Sequence, residues 1–207
     1  MNLLEPKISK CIPYNIIKSY KEKNFNNYIY EENIDEAIKI KDTTFDSCIF
    51  RKIDFSNIDL EDVDLIDVVF QNCNLSNKVF DYKLIQRVKF INCKMVGTRF
   101  IESTLKDVVF DECKANYTNF SYAKINTMKI IDTDFSEMTF LETKVKKLEL
   151  DKVNLSNSEI INTNLKDVDF SNSNIENIMI DNTSLQGIII DKFQSHELVR
   201  ILGVKFK

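Results

Sequence analysis

The stretch LEDVDLIDVVFQNCNL, residues 60–75, carries an apolar residue at every fifth position: Leu60, Leu65, Phe70 and Leu75. A second small or apolar residue stands two places before Leu65, Phe70 and Leu75. The other positions are mostly acidic or amide side chains. An α-helix repeats every 3.6 residues and a strand every 2, so neither explains this spacing. The stretch therefore predicts a chain that turns after every pentapeptide and points two residues of each five inward.

The five-residue period continues without a break from residue 40 to residue 190. All 31 positions that are multiples of five are apolar, although apolar residues make up only 43% of the chain. The position two places earlier is small or apolar throughout, with Lys78 and Lys83 as its exceptions. Such a pattern is typical of a solenoid, in which each repeat packs only on its neighbours.

Four tripeptides share one pattern: a small or apolar residue, then Asp or Asn, then the central apolar residue. They are residues 63–65, 73–75, 153–155 and 168–170. Over about residues 38–191 the chain resembles the pentapeptide-repeat family, and residues 5–8 and 202–205 resemble the flanks of its bacterial members. The resemblance implies an all-β fold, a right-handed quadrilateral β-helix with four pentapeptides in each coil. The 150 residues from 41 to 190 would then make about 7.5 coils.

Residues twenty apart should lie above one another in such coils. Two phenylalanine columns are then expected to form core stacks: Phe50, Phe70, Phe90 and Phe110, and Phe80, Phe100, Phe120 and Phe140. Three cysteines form a third column: Cys73, Cys93 and Cys113. Zinc is one hypothesis for this column, but a straight ladder of thiols is not a tetrahedron and the single histidine is distant in sequence. Packing as small apolar groups is therefore the favoured interpretation, with no metal and no cofactor.

Both ends of the repeat need a cover, because an open solenoid exposes its core and unpaired strand edges. Residues 1–37 lack the period and are predicted to form an N-terminal capping segment before the β-helix of residues 38–191. At the other end, residues 192–207 are predicted to form a helix over about 192–202 and a short extended segment, Val204–Phe206. Its apolar residues would serve as a cap or as a dimer contact, leaving a monomer or a homodimer open: Phe193, Leu198, Ile201 and Leu202.

Two surface features carry a candidate interaction site. The first is an acidic run without Lys or Arg between Ile53 and Asn77, formed by Asp54, Asp59, Glu61, Asp62, Asp64 and Asp67. The second is the irregularity at Lys78, Tyr82 and Lys83, where a lysine cannot stay uncompensated in a dry core. Either the backbone bulges there or the lysine stems extend outward to solvent.

Charge and composition argue against several kinds of function. The net charge is −4, so we expect no direct nucleic-acid binding, which would need a basic face. No apolar stretch approaches the ~20 residues of a membrane span. The first ten residues lack a secretory signal and five cysteines are an odd number, which predicts no membrane association and a cytoplasmic location. Phosphate-loop, nucleophile-elbow and zinc-protease motifs are missing, so the chain is predicted not to be an enzyme and to have no catalytic residue.

Two functions remain open from the sequence. The first is a non-catalytic interaction or scaffold protein that presents solenoid walls to an unidentified protein partner. The second comes from the resemblance, since gyrase-protecting quinolone-resistance members of the family look like DNA mimics that bind DNA gyrase. Against it, five lysines flank the central residues of one wall in successive coils: Lys106, Lys124, Lys144, Lys146 and Lys166. A basic wall makes the rod a poor copy of DNA.

Overall fold

The computed structural model describes residues 2–8 and 10–201, with side chains through residue 200. Its architecture is a right-handed quadrilateral β-helix of about eight coils, closed by an N-terminal segment and a short C-terminal helix. From β2 onward, paired residues in neighbouring coils differ by twenty, as in Ile38↔Ile58 and Phe50↔Phe70, apart from one register shift at Lys106↔Thr127, and the strand pairings are parallel. The fold class expected from the five-residue period is therefore confirmed.

Strands and helices follow one another along the coils. The strands are Ile12–Pro13 (β1), Tyr28–Tyr30 (β2), Ile38–Arg51 (β3), Ile58–Gln71 (β4), Leu84–Ile91 (β5), Thr104–Asp111 (β6), Lys124–Ile131 (β7), Thr139–Leu141 (β8), Lys144–Val145 (β9), Leu148–Asp151 (β10), Glu159–Ile161 (β11) and Met179–Ile180 (β12). The α-helices are Ile16–Glu22 (α1), Asn182–Leu185 (α2) and Ser195–Ile201 (α3). Short 3₁₀ turns span Phe55–Asn57 and Lys192–Gln194. One sheet runs from β1 to β7 and β10, with β9 also on β7, and a second joins β12, β11 and β8.

The chain turns after most pentapeptides through a residue in the left-handed backbone region. These residues stand two places after the central apolar residue, and the positive φ values of the non-glycine residues lie between 42° and 65°. About half of these residues are Asp or Asn, which tolerate this conformation, and the others include Lys, Glu and Tyr, so a chain with three glycines turns mostly through residues that carry a side chain. Gly97 (φ +68°) is a case where the side chain is excluded as well, since a Cβ there would lie 2.7 Å from Asn77 Oδ1.

Aromatic rings fill the interior along the coil axis. In one column the centroids of Phe50, Phe70, Phe90 and Phe110 are 5.0–5.3 Å apart, with nearly parallel planes. In the other, Phe80, Phe100 and Phe120 stack in the same way, and the ring of Phe140 then meets Phe120 edge-on. All eight rings are buried. Offset stacks and edge contacts of this kind stabilise the core beyond the area that they bury.

Part of the N-terminal segment continues the coil. Tyr30 lies beside Phe50 in the sheet, with ring centroids 4.8 Å apart, and Phe25 packs in the same way on Phe45. The register thus extends fifteen residues before residue 40, which the sequence pattern did not show. Above this layer, α1 places Ser19 within hydrogen-bond distance of the Tyr30 hydroxyl, at 2.8 Å, with both groups buried.

The C-terminal end begins with a capping box formed by Asp191 and Gln194. The Asp191 carboxylate accepts from Phe193 N–H at 2.8 Å, and the Gln194 side chain accepts from Asp191 N–H at 2.8 Å. The predicted helix over 192–202 is a 3₁₀ turn followed by α3. The expected extended segment Val204–Phe206 and the residue Leu202 lie outside the described residues.

Candidate interaction surfaces

The acidic run does not form a field of unpaired carboxylates. Asp62 forms an ion pair with Lys83, and Lys39 pairs with both Asp59 and Glu61. Hydrogen bonds to oxygen lower the pKa of a carboxylate and neutralise part of its local field. In the described part of the chain, three of the six acidic residues in the run therefore pair with a lysine.

The other three members bond to backbone or to an arginine. Asp64 Oδ1 accepts from Leu84 N–H at 2.7 Å. Asp54 caps the 3₁₀ turn by accepting from Ser56 N–H at 2.9 Å, and the hydrogen bonds from Ser56 lower the pKa of Asp54. Asp67 is only 5% exposed and accepts two bonds from Arg87, at 2.5 and 2.6 Å. Three of these bonds join neighbouring coils, so these acidic residues stabilise the solenoid.

Burial and bonding oppose each other at Asp67. Burial raises the pKa of this carboxyl, but the hydrogen bonds from Arg87 and from the Lys7 backbone N–H outweigh it, and the pKa is lowered from its usual value. The Arg87 side chain is itself mostly buried. The two residues form a structural ion pair, not a group available to a partner.

The two lysines of the inward column leave the backbone regular. Residues 71–83 have the same pattern of turns and bridges as residues 91–103, so the expectation of a bulge is wrong. Instead the stems run outward: Lys78 Nζ donates to the Ile58 carbonyl at 2.8 Å, and Lys83 reaches Asp62. Burial lowers the pKa of Lys78. The ends of both side chains are occupied, while Tyr82 between them is 68% exposed.

A wall with three exposed tyrosines includes Tyr82, which the sequence pattern had singled out, and two tyrosines that it had not. It is the wall whose central residues are Phe80, Phe100 and Phe120, and its outward side chains are called the tyrosine wall: Val79, Tyr82, Arg99, Tyr117 and Tyr122. Backbone bridges stack Val79 on Arg99 and Arg99 on Asn119, so three successive coils present one surface. Tyr117 is 51% exposed, Tyr122 45% and Val79 43%.

Two of the tyrosines lie beside carboxylates of the next coil. Hydrogen bonding to Glu102 raises the pKa of Tyr82, and hydrogen bonding to Glu137 raises the pKa of Tyr117. Arg99 is held by an ion pair with Asp81. All three tyrosines stand in the left-handed turn position, two residues after Phe80, Ala115 and Phe120. Their recurrence at that outward position was the available signal in the sequence.

The five lysines of the expected basic wall are all exposed: Lys106, Lys124, Lys144, Lys146 and Lys166. They line the wall next to the tyrosine wall, around the central residues Leu105, Ile125, Val145 and Leu165. A positive strip on the solenoid therefore lies one turn away from the tyrosines, as the sequence suggested.

The cysteine column is packed inside the solenoid. Cys73, Cys93 and Cys113 are each 2% exposed, and their thiols donate to the carbonyls of Phe50, Phe70 and Phe90 at 3.3–3.5 Å. Hydrogen bonds with the neighbouring thiols of Cys113 and Cys73, together with burial, raise the pKa of Cys93. In the described residues no group of three or more His, Cys, Asp or Glu side chains is placed to hold a metal ion.

The C-terminal candidates separate into two groups. Leu198 is half-buried and packs against the core, whereas Phe193 is 73% exposed, with Lys192 Nζ 4.8 Å from its ring centroid. The side chain of Ile201 and all of Leu202 lie outside the described residues. A dimer through this end stays a prediction.

Two protein-family models match the coil region of this chain. A model of the pentapeptide repeat region matches residues 63–133 and 83–152, and a model of eight pentapeptide repeats matches residues 40–77 and 149–187. Together they cover residues 40–187, more than half of the chain. No curated protein sequence matches.

Solved structures with a similar fold share little sequence. One is HetL, a pentapeptide repeat protein involved in heterocyst differentiation regulation from the cyanobacterium Nostoc sp. strain PCC 7120, at 13% identity and a TM-score of 0.43, covering 86% of this chain and 96% of that one. Another is a trypsin-treated variant of QnrB1, a plasmid-mediated fluoroquinolone resistance protein, at 16% identity and a TM-score of 0.41, covering 88% and 89%. No described helix is long and apolar enough to cross a membrane. On the strength of the repeat models and the coil geometry, this chain belongs to the pentapeptide-repeat family.

Proposed function

We propose that this protein is a non-catalytic interaction module that binds a protein partner through the tyrosine wall. The observation that carries the proposal is the grouping of Tyr82, Tyr117 and Tyr122 around Arg99 on one wall of stacked coils. Tyrosine and arginine are the residue types that most often dominate the binding energy of protein interfaces. A tyrosine also supplies a large contact area while losing few rotatable bonds.

The stiffness of the wall favours binding. The backbone behind the tyrosines is bonded to the next coil, as in Tyr82 N–H to the Ile101 carbonyl at 2.8 Å and Tyr122 N–H to the Leu141 carbonyl at 2.7 Å. A partner therefore meets side chains that are already oriented, which lowers the entropy lost on association.

The size of the surface suits a standard interface if the contact extends along the wall. Coils stack at a spacing of about 4.8 Å, so the three coils from Tyr82 to Tyr122 span roughly 10 Å. The same outward column continues through later coils to Met179, which is 57% exposed. From Val79 to Met179 the full column spans roughly 24 Å. Because one partner commonly buries ~800 Å², we expect the contact to use the whole column and not the tyrosine coils alone.

The alternative, a DNA-mimicking protein that binds DNA gyrase and protects it from quinolones, finds less support. Mimicry needs carboxylates that present a continuous negative surface. Here Lys39, Lys83 and Arg87 pair with members of the acidic run. A supercoiling assay of gyrase with and without a quinolone tests this alternative, and an effect at micromolar protein that survives replacement of the tyrosines would favour it over our proposal.

A triple variant tests the tyrosine wall without disturbing the turns. Tyr82→Asn, Tyr117→Asn and Tyr122→Asn remove the rings, and asparagine accepts the left-handed backbone of these positions. The matched control changes three exposed turn residues with positive φ on a different wall: Glu112→Asn, Asp132→Asn and Lys152→Asn. Crosslinking in cells of the source organism, read by mass spectrometry, identifies proteins bound to the wild type.

The expected result is a partner that is captured by the wild type and by the control triple, and lost from the tyrosine triple. Loss of roughly 2 kcal/mol at each of two contributing rings would weaken binding about a thousandfold. Equal capture of the same proteins by all three chains would refute a role for this wall.

A further inference from the structure

Residues 2–8, called the arm, lie along the outside of a different wall. The arm is attached at two points: Lys7 N–H donates to Asp67 Oδ1 at 2.7 Å, and Glu5 forms an ion pair with Lys89. Just after the arm in sequence, Cys11 Sγ lies 3.0 Å from the Ser47 carbonyl, so contacts progress from coil to coil toward the N-terminus of the arm. An extended chain advances about 3.3 Å per residue against a coil spacing of about 4.8 Å, which fits a segment that crosses the coils.

The arm buries a residue that an open wall would leave exposed. Val109 and Val79 both stand one place before a central phenylalanine, on the outer surface. Val79, on the tyrosine wall, is 43% exposed, whereas Val109 is 8% exposed. Leu3 lines the same groove as Val109 and is half-buried, while Leu4 next to it is 52% exposed. One leucine of the arm therefore lines the groove on the wall, and the next is exposed to solvent.

The wall under the arm combines positive charge with apolar surface. A groove of about 370 Å³ runs beside the arm and is lined on the wall side by Lys89, Ile91, Val109, Asp111, Lys129 and Ile131. The two lysines stand two coils apart in one column, and each pairs with a carboxylate, Lys89 with Glu5 and Lys129 with Glu149. The chemistry suits an extended segment that offers an apolar side chain and a carboxylate.

The contacts of the arm are ones that another chain can reproduce. In the part of the chain that the structure describes they include one backbone N–H, one carboxylate and one leucine beside the groove, and residues 2–8 form no strand of the sheet. The arm also lies outside the wall, whose inward residues Val88 and Val108 are packed in the core. Its removal therefore uncovers a groove and leaves the core closed.

We propose that this groove is a second binding site, for an extended segment of a partner protein that carries an apolar residue followed by an acidic one, and that the arm is its resident occupant. Leu3 and Glu5 fill the apolar and acidic positions in the resting protein. A partner segment binds by displacing the arm, so the arm sets a threshold of affinity or local concentration that the partner must exceed. The site is on a different wall from the tyrosines and stands or falls independently of them.

Charge reversal in the full chain opens the groove while keeping the arm present. Glu5→Lys places a cation opposite Lys89, and Lys89→Glu places an anion opposite Glu5; both release the arm by repulsion. The probes are two fluorescent peptides, NLLEPKI, which is the sequence of residues 2–8, and NLLKPKI. Fluorescence anisotropy measures binding of each peptide to wild type, to each single variant and to the Glu5→Lys/Lys89→Glu double variant.

The proposal predicts a pattern of four results. NLLEPKI binds the Glu5→Lys chain at least about tenfold tighter than wild type, a difference of about 1.4 kcal/mol. NLLKPKI binds the Lys89→Glu chain and not the Glu5→Lys chain. Wild type and the double variant, in which the ion pair is restored in reverse, bind either peptide weakly. Trypsin cleavage after Lys7, followed by mass spectrometry, is fast in both single variants and slow in the other two chains.

Other outcomes overturn the proposal. If neither peptide binds any chain while the single variants are readily cleaved after Lys7, the wall holds the arm only as a tether and is not a binding site. If NLLEPKI binds wild type as well as it binds the Glu5→Lys chain, the arm does not occupy the groove. Thermal melting of the four chains, expected to agree within a few degrees, excludes unfolding as the cause of peptide binding.

Discussion

Phe100→Ala tests the register of the whole solenoid at a point where aromatic rings pack on several sides. The Phe100 ring is fully buried and contacts four others, stacked on Phe80 and Phe120 at 5.5 and 5.1 Å and edge-on to Phe90 and Phe110 at 6.4 and 6.1 Å. A buried Phe→Ala change costs about 3–5 kcal/mol through lost burial and the cavity left behind. Four lost ring contacts place this site near the upper end, at about 4–5 kcal/mol.

Urea denaturation followed by circular dichroism measures this cost. With a slope of about 2.5 kcal/mol per molar urea, the midpoint should fall by nearly 2 M. Phe193→Ala is the matched control, because that ring is 73% exposed and its loss should cost less than about 0.5 kcal/mol. Phe100→Asp should leave no cooperative transition, since it buries an unpaired charge. Equal midpoints for Phe100→Ala and Phe193→Ala would refute the core assignment.

Three other predictions follow from buried side chains. The pKa of Asp67 is lowered, so its pair with Arg87 stabilises the fold above the unfolded pKa of about 3.9 and loses this effect as the pH falls through the folded value. Asp67→Asn should therefore lower the free energy of unfolding by about 2 kcal/mol at pH 7 and by little at pH 2, measured by urea titration. Burial lowers the pKa of Lys78, so the wild type gains stability as the pH rises from that lowered value to about 10.4. Lys78→Met should raise the melting temperature by a few degrees at pH 7. If the variant's melting temperature exceeded that of the wild type by the same amount up to about pH 10.5, the buried charge of Lys78 would not be the cause. A thiol reagent should modify Cys11 slowly in the native protein and the four buried cysteines only after unfolding, and rapid native modification of two or more thiols would show that the column is open.

The core was predictable from sequence because burial imposes a period. Every fifth residue must fill the same interior, so the eight phenylalanines of the two stacks could be assigned without coordinates. The coil formed by residues 25–30 was not predicted, because the period is interrupted locally. At position 35 the register holds Asp35, which breaks the period between Tyr30 and Ile40, while Ile34 packs against the core one residue early.

Surface features were harder to predict because solvent accepts most side chains. The acidic run is conspicuous in one dimension, yet the residues that pair with it come from neighbouring coils about twenty positions away, such as Lys83 for Asp62 and Arg87 for Asp67. Tyr117 and Tyr122 attract no notice in sequence until the turn geometry shows that their position points outward. The arm carries no period at all, and its contact with Lys89 is a matter of tertiary placement.

The twenty-residue register separates two kinds of insertion and deletion. Removal of one pentapeptide keeps every downstream apolar residue at an inward position, so the core pattern survives while all later walls rotate by a quarter turn relative to the earlier ones. Met179 would then leave the column of Val79, and a binding surface that spans both would be divided between two sides of the rod. Removal of four pentapeptides shortens the rod and restores every column. Variation in length among homologous chains that keep one function should therefore occur in whole coils, with single pentapeptides gained or lost only beyond the surface that the partner contacts.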